Sequence, residues 1–385
     1  MPTRDHRIDR AKGILIFTVV LGHLLARTSP WESDALRAPM TLIYAFHMPA
    51  FVFLAGITAK SNRLAERVLT FLVLLLTALP LMWGWLWVFG LDPDYDLLTP
   101  YWFTWFLLSM AWWMLSVPFI ERFPRATLTA SLIAGLCGGV LPLIDYELSA
   151  VRTLVFWPFF VIGRLYGHAI VDWVGNLRLW QKLGLSATAL AVVTMLYLRD
   201  VSASWFYGGA RFESLDVGIA EGIGTRLILS AAAMLMTLAL LSWMTNRSGI
   251  MATIGARSLA VYIGHGFVVR ALQPILDDSR DHLGAVMIVV VCLALSVVTT
   301  LLLSWEPIDR VIRRYAGAVT QVLLRPFPVL RSEPGRHSAR STPPTGPAAA
   351  ETSRGRAVSE GRPPEEQSSE VRLPEEQPSE GHPRR

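Results

Sequence analysis

Two histidines stand where ionisable side chains are rare. Residues 9–27 read Asp9-Arg-Ala-Lys12-Gly-Ile-Leu-Ile-Phe-Thr-Val-Val-Leu-Gly-His23-Leu-Leu-Ala-Arg27, and between Lys12 and Arg27 the only ionisable side chain is His23. An ionisable residue in the middle of a membrane-spanning run is costly and marks a functional site by default. The chemistry of an imidazole is proton transfer, because it takes and releases a proton close to neutral pH. Eleven steps separate Lys12 from His23, which is three helical turns plus about 20°, so both lie on one face about 16 Å apart. A cation is therefore expected directly below a buried imidazole.

The second histidine lies in Phe46-His47-Met48-Pro49, again deep in an apolar stretch. It falls about 12 Å from the far end of its span, counted at about 1.5 Å per residue. In a hydrocarbon core about 30 Å thick, His23 and His47 then reach similar depth, and adjacent antiparallel helices would set them side by side. Pro49 is expected to free a backbone carbonyl and kink the helix beside His47. The alternative is structural: each imidazole hydrogen-bonds a neighbouring helix and does nothing else. No His-x3-His, cysteine ligand or buried carboxylate joins the pair, so no metal is expected.

Further polar candidates are weaker. Tyr262 and His265 are three residues apart and share a helix face, where they serve either the same cavity or packing. Trp105, in the run Tyr101-Trp-Phe-Thr-Trp-Phe106, belongs to an interfacial aromatic belt or stacks on a substrate. Arg10, Lys12, Lys60, Arg63 and Arg67 are expected at one membrane surface. There they form either a basic mouth for a phosphate-bearing ligand or ordinary topogenic charge. No glycine-rich phosphate loop or dinucleotide fingerprint is present, so any nucleotide is held by side chains alone.

These residues need a membrane scaffold to position them. The chain has 385 residues, 52% hydrophobic, with 14 Trp. Runs of about 20 apolar residues exclude a soluble globular fold and predict an all-α polytopic membrane protein. About ten spans are expected, near 12–28, 39–57, 68–90, 102–120, 127–144, 151–171, 181–198, 226–245, 258–276 and 284–305. The fifth is short and rich in glycine. The ninth contains Gly264, His265 and Gly266 and is a candidate for a broken or re-entrant helix. The basic start followed by an apolar run resembles a signal peptide, but no small-residue cleavage site follows, which favours a retained first helix.

Loops on the side of the N-terminus are rich in Lys and Arg, whereas those on the other side carry Asp and Glu, so both termini are expected in the cytoplasm. The longest connection on the outer side, about 199–225, mixes Trp205, Phe206 and Tyr207 with Gly and charge, as a lid, a carbohydrate-contacting rim or an interfacial segment would. Cys137 and Cys292 lie in apolar spans and imply no disulfide framework. Residues 1–330 are expected to form the membrane domain. Residues 331–385, built of Pro, Ser, Glu, Arg and Gly with a ten-residue unit occurring twice, read as a disordered low-complexity cytoplasmic tail. The net charge of +5 suits loops facing anionic membrane lipids and is no evidence of nucleic-acid binding.

Lys12-x10-His23 together with Phe46-His47-Met48-Pro49 through Ala55-Gly56 resembles the membrane-bound acyltransferase 3 family, closest to its fucose 4-O-acetylase-like branch. Weaker echoes are Trp105-Phe106-Leu107, Phe159-Phe160-Val161-Ile162-Gly163 and Tyr262-Ile263-Gly264-His265, and the likeness covers about 7–310. Many members of the family have Arg at the position of Lys12 and Ser at that of Ala55. Lysine keeps the charge but loses the planar fork, and alanine removes a hydroxyl.

The resemblance implies ten helices in the cell membrane. It also implies an acyl-CoA donor on the cytoplasmic side, chiefly acetyl-CoA, and an external carbohydrate or glycoconjugate hydroxyl as acceptor. In that reading His23 is base or transient acyl carrier, and His47 is a second proton handler or carbonyl-polarising donor. Lys12, Arg10, Arg63 and Arg67 hold the donor's phosphates, and Trp105, Tyr262 and His265 line the cavity. The rival readings are a proton-coupled transporter or flippase using His23 and His47 as a relay, and a non-catalytic scaffold. The acceptor and the oligomeric state are left open by the sequence.

Overall fold

The structure is a computed structural model that describes residues 5–28, 30–91, 99–140 and 147–327. All fall in one compact unit, Met1–Glu333. The tail expected at 331–385 lies outside the described residues, as do the acidic positions 92–98 and 141–146.

The chain begins with α1 (His6–Leu25), α2 (Asp34–Tyr44), α3 (His47–Thr58), α4 (Leu64–Val88) and α5 (Trp105–Arg122). Next come α6 (Pro124–Cys137), α7 (Ala150–Gly175), α8 (Leu179–Leu198), the short α9 (Ala203–Tyr207) and α10 (Ile219–Ser242). The last four are α11 (Ile250–Ala256), α12 (Ser258–His282), α13 (Ala285–Leu303) and α14 (Glu306–Leu323). No strand occurs among the described residues. Eight helical segments are long and apolar enough to cross a membrane, with α2 and α3 counted as one span, which makes this an all-helical multi-pass membrane protein.

Each of the ten expected spans has a helix, but two differ from the other eight. The α1 helix carries Asp9, Arg10 and Lys12 in its first turns, so its apolar stretch is shorter than a full crossing. The α6 helix has 14 residues, about 21 Å against a core of about 30 Å. The remainder of that expected span enters 141–146, outside the described residues. The amphipathic α14 was not anticipated. It lies against α4, where the Thr70 and Thr320 hydroxyls are 3.3 Å apart and those of Thr77 and Tyr315 are 2.8 Å apart.

Three expectations need correction. First, His23 is not in the middle of its helix. The α1 helix starts at His6, capped by the Asp5 side chain, and ends at Leu25, so His23 lies in its last turn. Second, the ninth span is a continuous helix, α12. Its glycines are packing sites: a Cβ on Gly266 would meet the Phe103 ring at 2.1 Å, and one on Gly264 would meet Leu303 at 2.6 Å. Third, the break near His47 lies at Ala45–Phe46, before Pro49. Proline in the first turn of α3 is unstrained there, because its missing N–H has no helical acceptor.

Close helix approach organises the core. A Cβ on Gly56 of α3 would meet the Phe160 carbonyl oxygen at 2.2 Å, and one on Gly163 of α7 would meet the Phe53 carbonyl oxygen at 2.1 Å. The two glycines let the backbones of α3 and α7 touch, as small residues do between membrane helices. Gly13 and Gly255 do the same for α1 and α11, where added Cβ atoms would lie 2.1 Å from the Met251 oxygen and 1.7 Å from the Asp9 oxygen. At the start of α1, Arg7 bridges Asp5 at 2.8 Å and Asp172 of α7 at 2.7 Å.

Candidate active site

The end of α1, the start of α3 and the start of α5 converge on a cavity of about 400 Å³. His23 enters from the last turn of α1 and His47 from the first residue of α3. Both imidazoles line this one space, with Tyr44 beside them: its ring centroid is 4.8 Å from that of His47 and its hydroxyl donates to the Gly22 carbonyl at 3.3 Å. Trp105 also lines the cavity.

His23 touches two rings: Trp102, edge-on with centroids 4.7 Å apart, and His265. The His23 and His265 centroids lie 5.2 Å apart, and His265 is fully buried behind the cavity wall. Tyr262 does not reach the large cavity but lines a small one that also borders His23, and its hydroxyl donates to the Phe103 carbonyl at 2.5 Å. That bond joins α12 to the turn before α5, so Tyr262 holds the wall in place.

Hydrogen bonds settle two of the three tautomers. His47 Nδ1 is 2.8 Å from the Ile43 carbonyl and His265 Nδ1 is 2.5 Å from the Tyr262 carbonyl. A carbonyl only accepts, so each Nδ1 carries the proton and each Nε2 holds the lone pair. The break before α3 leaves the Ile43 carbonyl in reach of His47. Two ring atoms, His23 Nδ1 and His265 Nε2, are buried without a hydrogen-bond partner. Buried polar atoms are rarely left so, and both belong to the pair of rings in contact.

Below His23, a small apolar cavity of about 20 Å³ is bounded by Ile16 and Val19 of α1, Met48 and Phe51 of α3, and Phe103 and Phe106. It has room for about one water-sized group. It extends from His23 towards Ile16, two turns nearer Lys12 along α1.

The proposed donor-binding cations lie at the opposite end of the bundle from the large cavity. The Lys12 ammonium is 3.3 Å from the Thr58 hydroxyl, in the last turn of α3. The loop after α3 carries Lys60 and Arg63, and Arg67 lies in the first turn of α4. Arg63 is 3.8 Å from Glu66 and is more than half exposed. Arg10 belongs to the first turns of α1, and its Nε is buried without a hydrogen-bond partner.

Several cavity residues escaped the sequence reading. Arg27 lines the space with its guanidinium 5.2 Å from the Trp102 ring centroid. Arg270, outside the cavity lining, stands over the same ring at 4.9 Å. Trp102 has a left-handed backbone, φ 43°, a strained conformation for a bulky residue and one that clusters at functional sites. Arg152 and Tyr207 complete the rim, with the Arg152 Nε donating to the Tyr207 carbonyl at 3.2 Å. Tyr207 belongs to the 199–225 connection, so that segment does contribute a wall, through α9. The readable signal for Arg27 was a cation only four residues beyond His23.

An all-helical fold with eight segments able to cross a membrane, and with imidazoles from separate helices around one cavity, defines a polytopic membrane protein. Within that class, the chain belongs to the acyltransferase 3 family: the family's acyltransferase domain matches residues 5–305. It is similar to the nodulation protein NolL of Sinorhizobium fredii (strain NBRC 101917 / NGR234), 29% identical over 216 residues, 51% of this chain and 57% of the relative. A NolL of Mesorhizobium japonicum (strain LMG 29417 / CECT 9101 / MAFF 303099) is 26% identical over 217 residues, 50% of this chain and 55% of the relative. The aligned part thus spans a little over half the length of either relative. No solved structure matches the chain.

Proposed function

We propose that this protein is a membrane O-acyltransferase that moves an acetyl group from cytoplasmic acetyl-CoA to a hydroxyl of an external carbohydrate or glycoconjugate. The observation that carries the reading is the shared cavity of His23 and His47, with Lys12 three turns away on the face of α1 that bears His23. Membership of the acyltransferase 3 family supports the reaction class.

In this reading the donor's phosphates bind among Lys12, Arg10, Arg63 and Arg67, and its thioester reaches His23 along α1. A proton on His23 Nδ1 shared with His265 Nε2 would match both orphaned atoms and leave His23 Nε2 as the base. His265 is then a positioning residue. His23 takes the acceptor's hydroxyl proton as its oxygen bonds to the acyl carbon. The C–S bond breaks, and the proton passes to the departing CoA thiolate. His47, with its own Nε2 lone pair in the cavity wall, is the second proton handler. The apolar pocket of about 20 Å³ below His23 suits the methyl of an acetyl group rather than a long chain.

The test uses membrane vesicles supplied with labelled acetyl-CoA. Wild-type protein should move label to an acceptor, and His23→Ala should lower transfer by about a hundredfold or more at equal protein level. Full transfer by that variant removes His23 from the mechanism. Substrate movement that needs no acyl-CoA would favour a proton-coupled transporter instead.

A further inference from the structure

Among the described residues, two cations beside Trp102, which lines the large cavity, have no acidic match. Arg27 and Arg270, from the end of α1 and from α12, both stand over Trp102, at 5.2 and 4.9 Å from its ring centroid. Two like charges thus share one aromatic neighbour, where they repel each other. Each has a buried Nε without a hydrogen-bond partner. Among the described residues no carboxylate lines the cavity. Asp277 is exposed and lies two turns further along α12. The other polar neighbours of Arg270 are neutral: Gln273 at 2.5 Å and the Tyr101 ring at 5.3 Å.

Holding two guanidinium groups over one partly buried ring costs free energy that Trp102 offsets in part and a bound anion would offset further. Arginine's planar fork matches phosphate and carboxylate oxygens two at a time. Contact with Trp102 restrains both cations in advance. The charge also runs against the acidic trend of the loops expected on that side, so topology does not explain it.

We propose that Arg27 and Arg270 form an anion-recognition site that seats a phosphate or carboxylate group of the acceptor and presents its hydroxyl to His23. The acceptor is therefore an acidic glycoconjugate, such as a phosphate-linked or uronic-acid-bearing sugar, rather than a neutral glycan. The inference rests on the acyltransferase reading.

The experiment uses full-length protein in nanodiscs, labelled acetyl-CoA and a total glycan and glycolipid extract from the source cells. Labelled product should be retained on an anion exchanger and released by salt. Arg27→Gln and Arg270→Gln should each raise the apparent KM for the fractionated acceptor roughly tenfold or more, leave that for acetyl-CoA unchanged, and recover in part in the lysine variants. Inorganic phosphate should inhibit the wild type competitively against acceptor, a readout that does not depend on either variant folding. A labelled product that is neutral overturns the proposal. So does a rise confined to the KM for acetyl-CoA, or phosphate competition against acetyl-CoA alone, since the anion would then belong to the donor. Absence of any transfer by the wild type would instead remove the acyltransferase reading itself.

Discussion

At the scale of single residues, the contact between His23 and His265 separates this site from two isolated buried histidines. A lone histidine needs only one neighbouring carbonyl, as His47 and His265 each have on Nδ1. His23 has none on Nδ1 and lies beside a ring whose Nε2 is equally unmatched. If the pair shares a proton, His265→Ala should lower kcat about tenfold while leaving the KM for acetyl-CoA near wild type, because only orientation of the base is lost. Equal effects on kcat and on protein yield would assign His265 to folding alone. Lys12→Arg tests the other end: a planar fork on the same charge should bind a CoA phosphate at least as well, so the KM for acetyl-CoA should fall or hold, whereas Lys12→Met should raise it.

At the scale of elements, the position of each imidazole follows from where a helix stops. The α1 helix ends two residues after His23 and α3 begins at His47, so both side chains stand at helix ends that open into the cavity. Backbone contact through Gly56 and Gly163 holds α3 against α7. Gly163→Ala should destabilise the protein by about 1–3 kcal/mol, read as a lower melting temperature in detergent, because its Cβ has only backbone to displace. The apolar pocket below His23 makes a separate claim about chain length. Phe51→Ala should let butyryl-CoA compete with acetyl-CoA as donor, while the wild type discriminates against it. Equal use of both donors by the wild type would remove the pocket from acyl selection.

At the scale of the whole molecule, the rim and Lys12 lie at opposite ends of the bundle, so the topology is testable. In a variant without Cys137 and Cys292, Thr99→Cys should react with an impermeant maleimide from outside intact cells, and Ser61→Cys only after permeabilisation. The reverse pattern would invert the expected orientation. The end with Lys12 is tied down by Arg7, which joins Asp5 and Asp172. Partial burial works against the Asp5 carboxylate, but its hydrogen bonds and ion pair with Arg7 hold it below the ordinary value. A carboxylate held low stabilises the fold above its unfolded pKa of about 4, and that contribution is lost as pH falls through the lower folded value. Wild type should therefore melt higher than Asp5→Asn near neutral pH, with the gap closing as the pH drops below about 4.

The sequence by itself determined the class of fold, the two histidines and the cation below one of them. Hydropathy fixes which segments enter a membrane, and helical pitch fixes which residues share a face. It also carried Gly56 and Gly163 inside recognisable motifs, although only their contact across α3 and α7 explains them. Tertiary structure alone decided the rest. The helix ends that put His23 and His47 at a cavity, the pairing of His23 with His265, and the gathering of Arg27, Arg270 and Trp102 all join residues far apart in the chain. A periodicity records the face a residue occupies on its own helix, but not which other helix comes to lie against it.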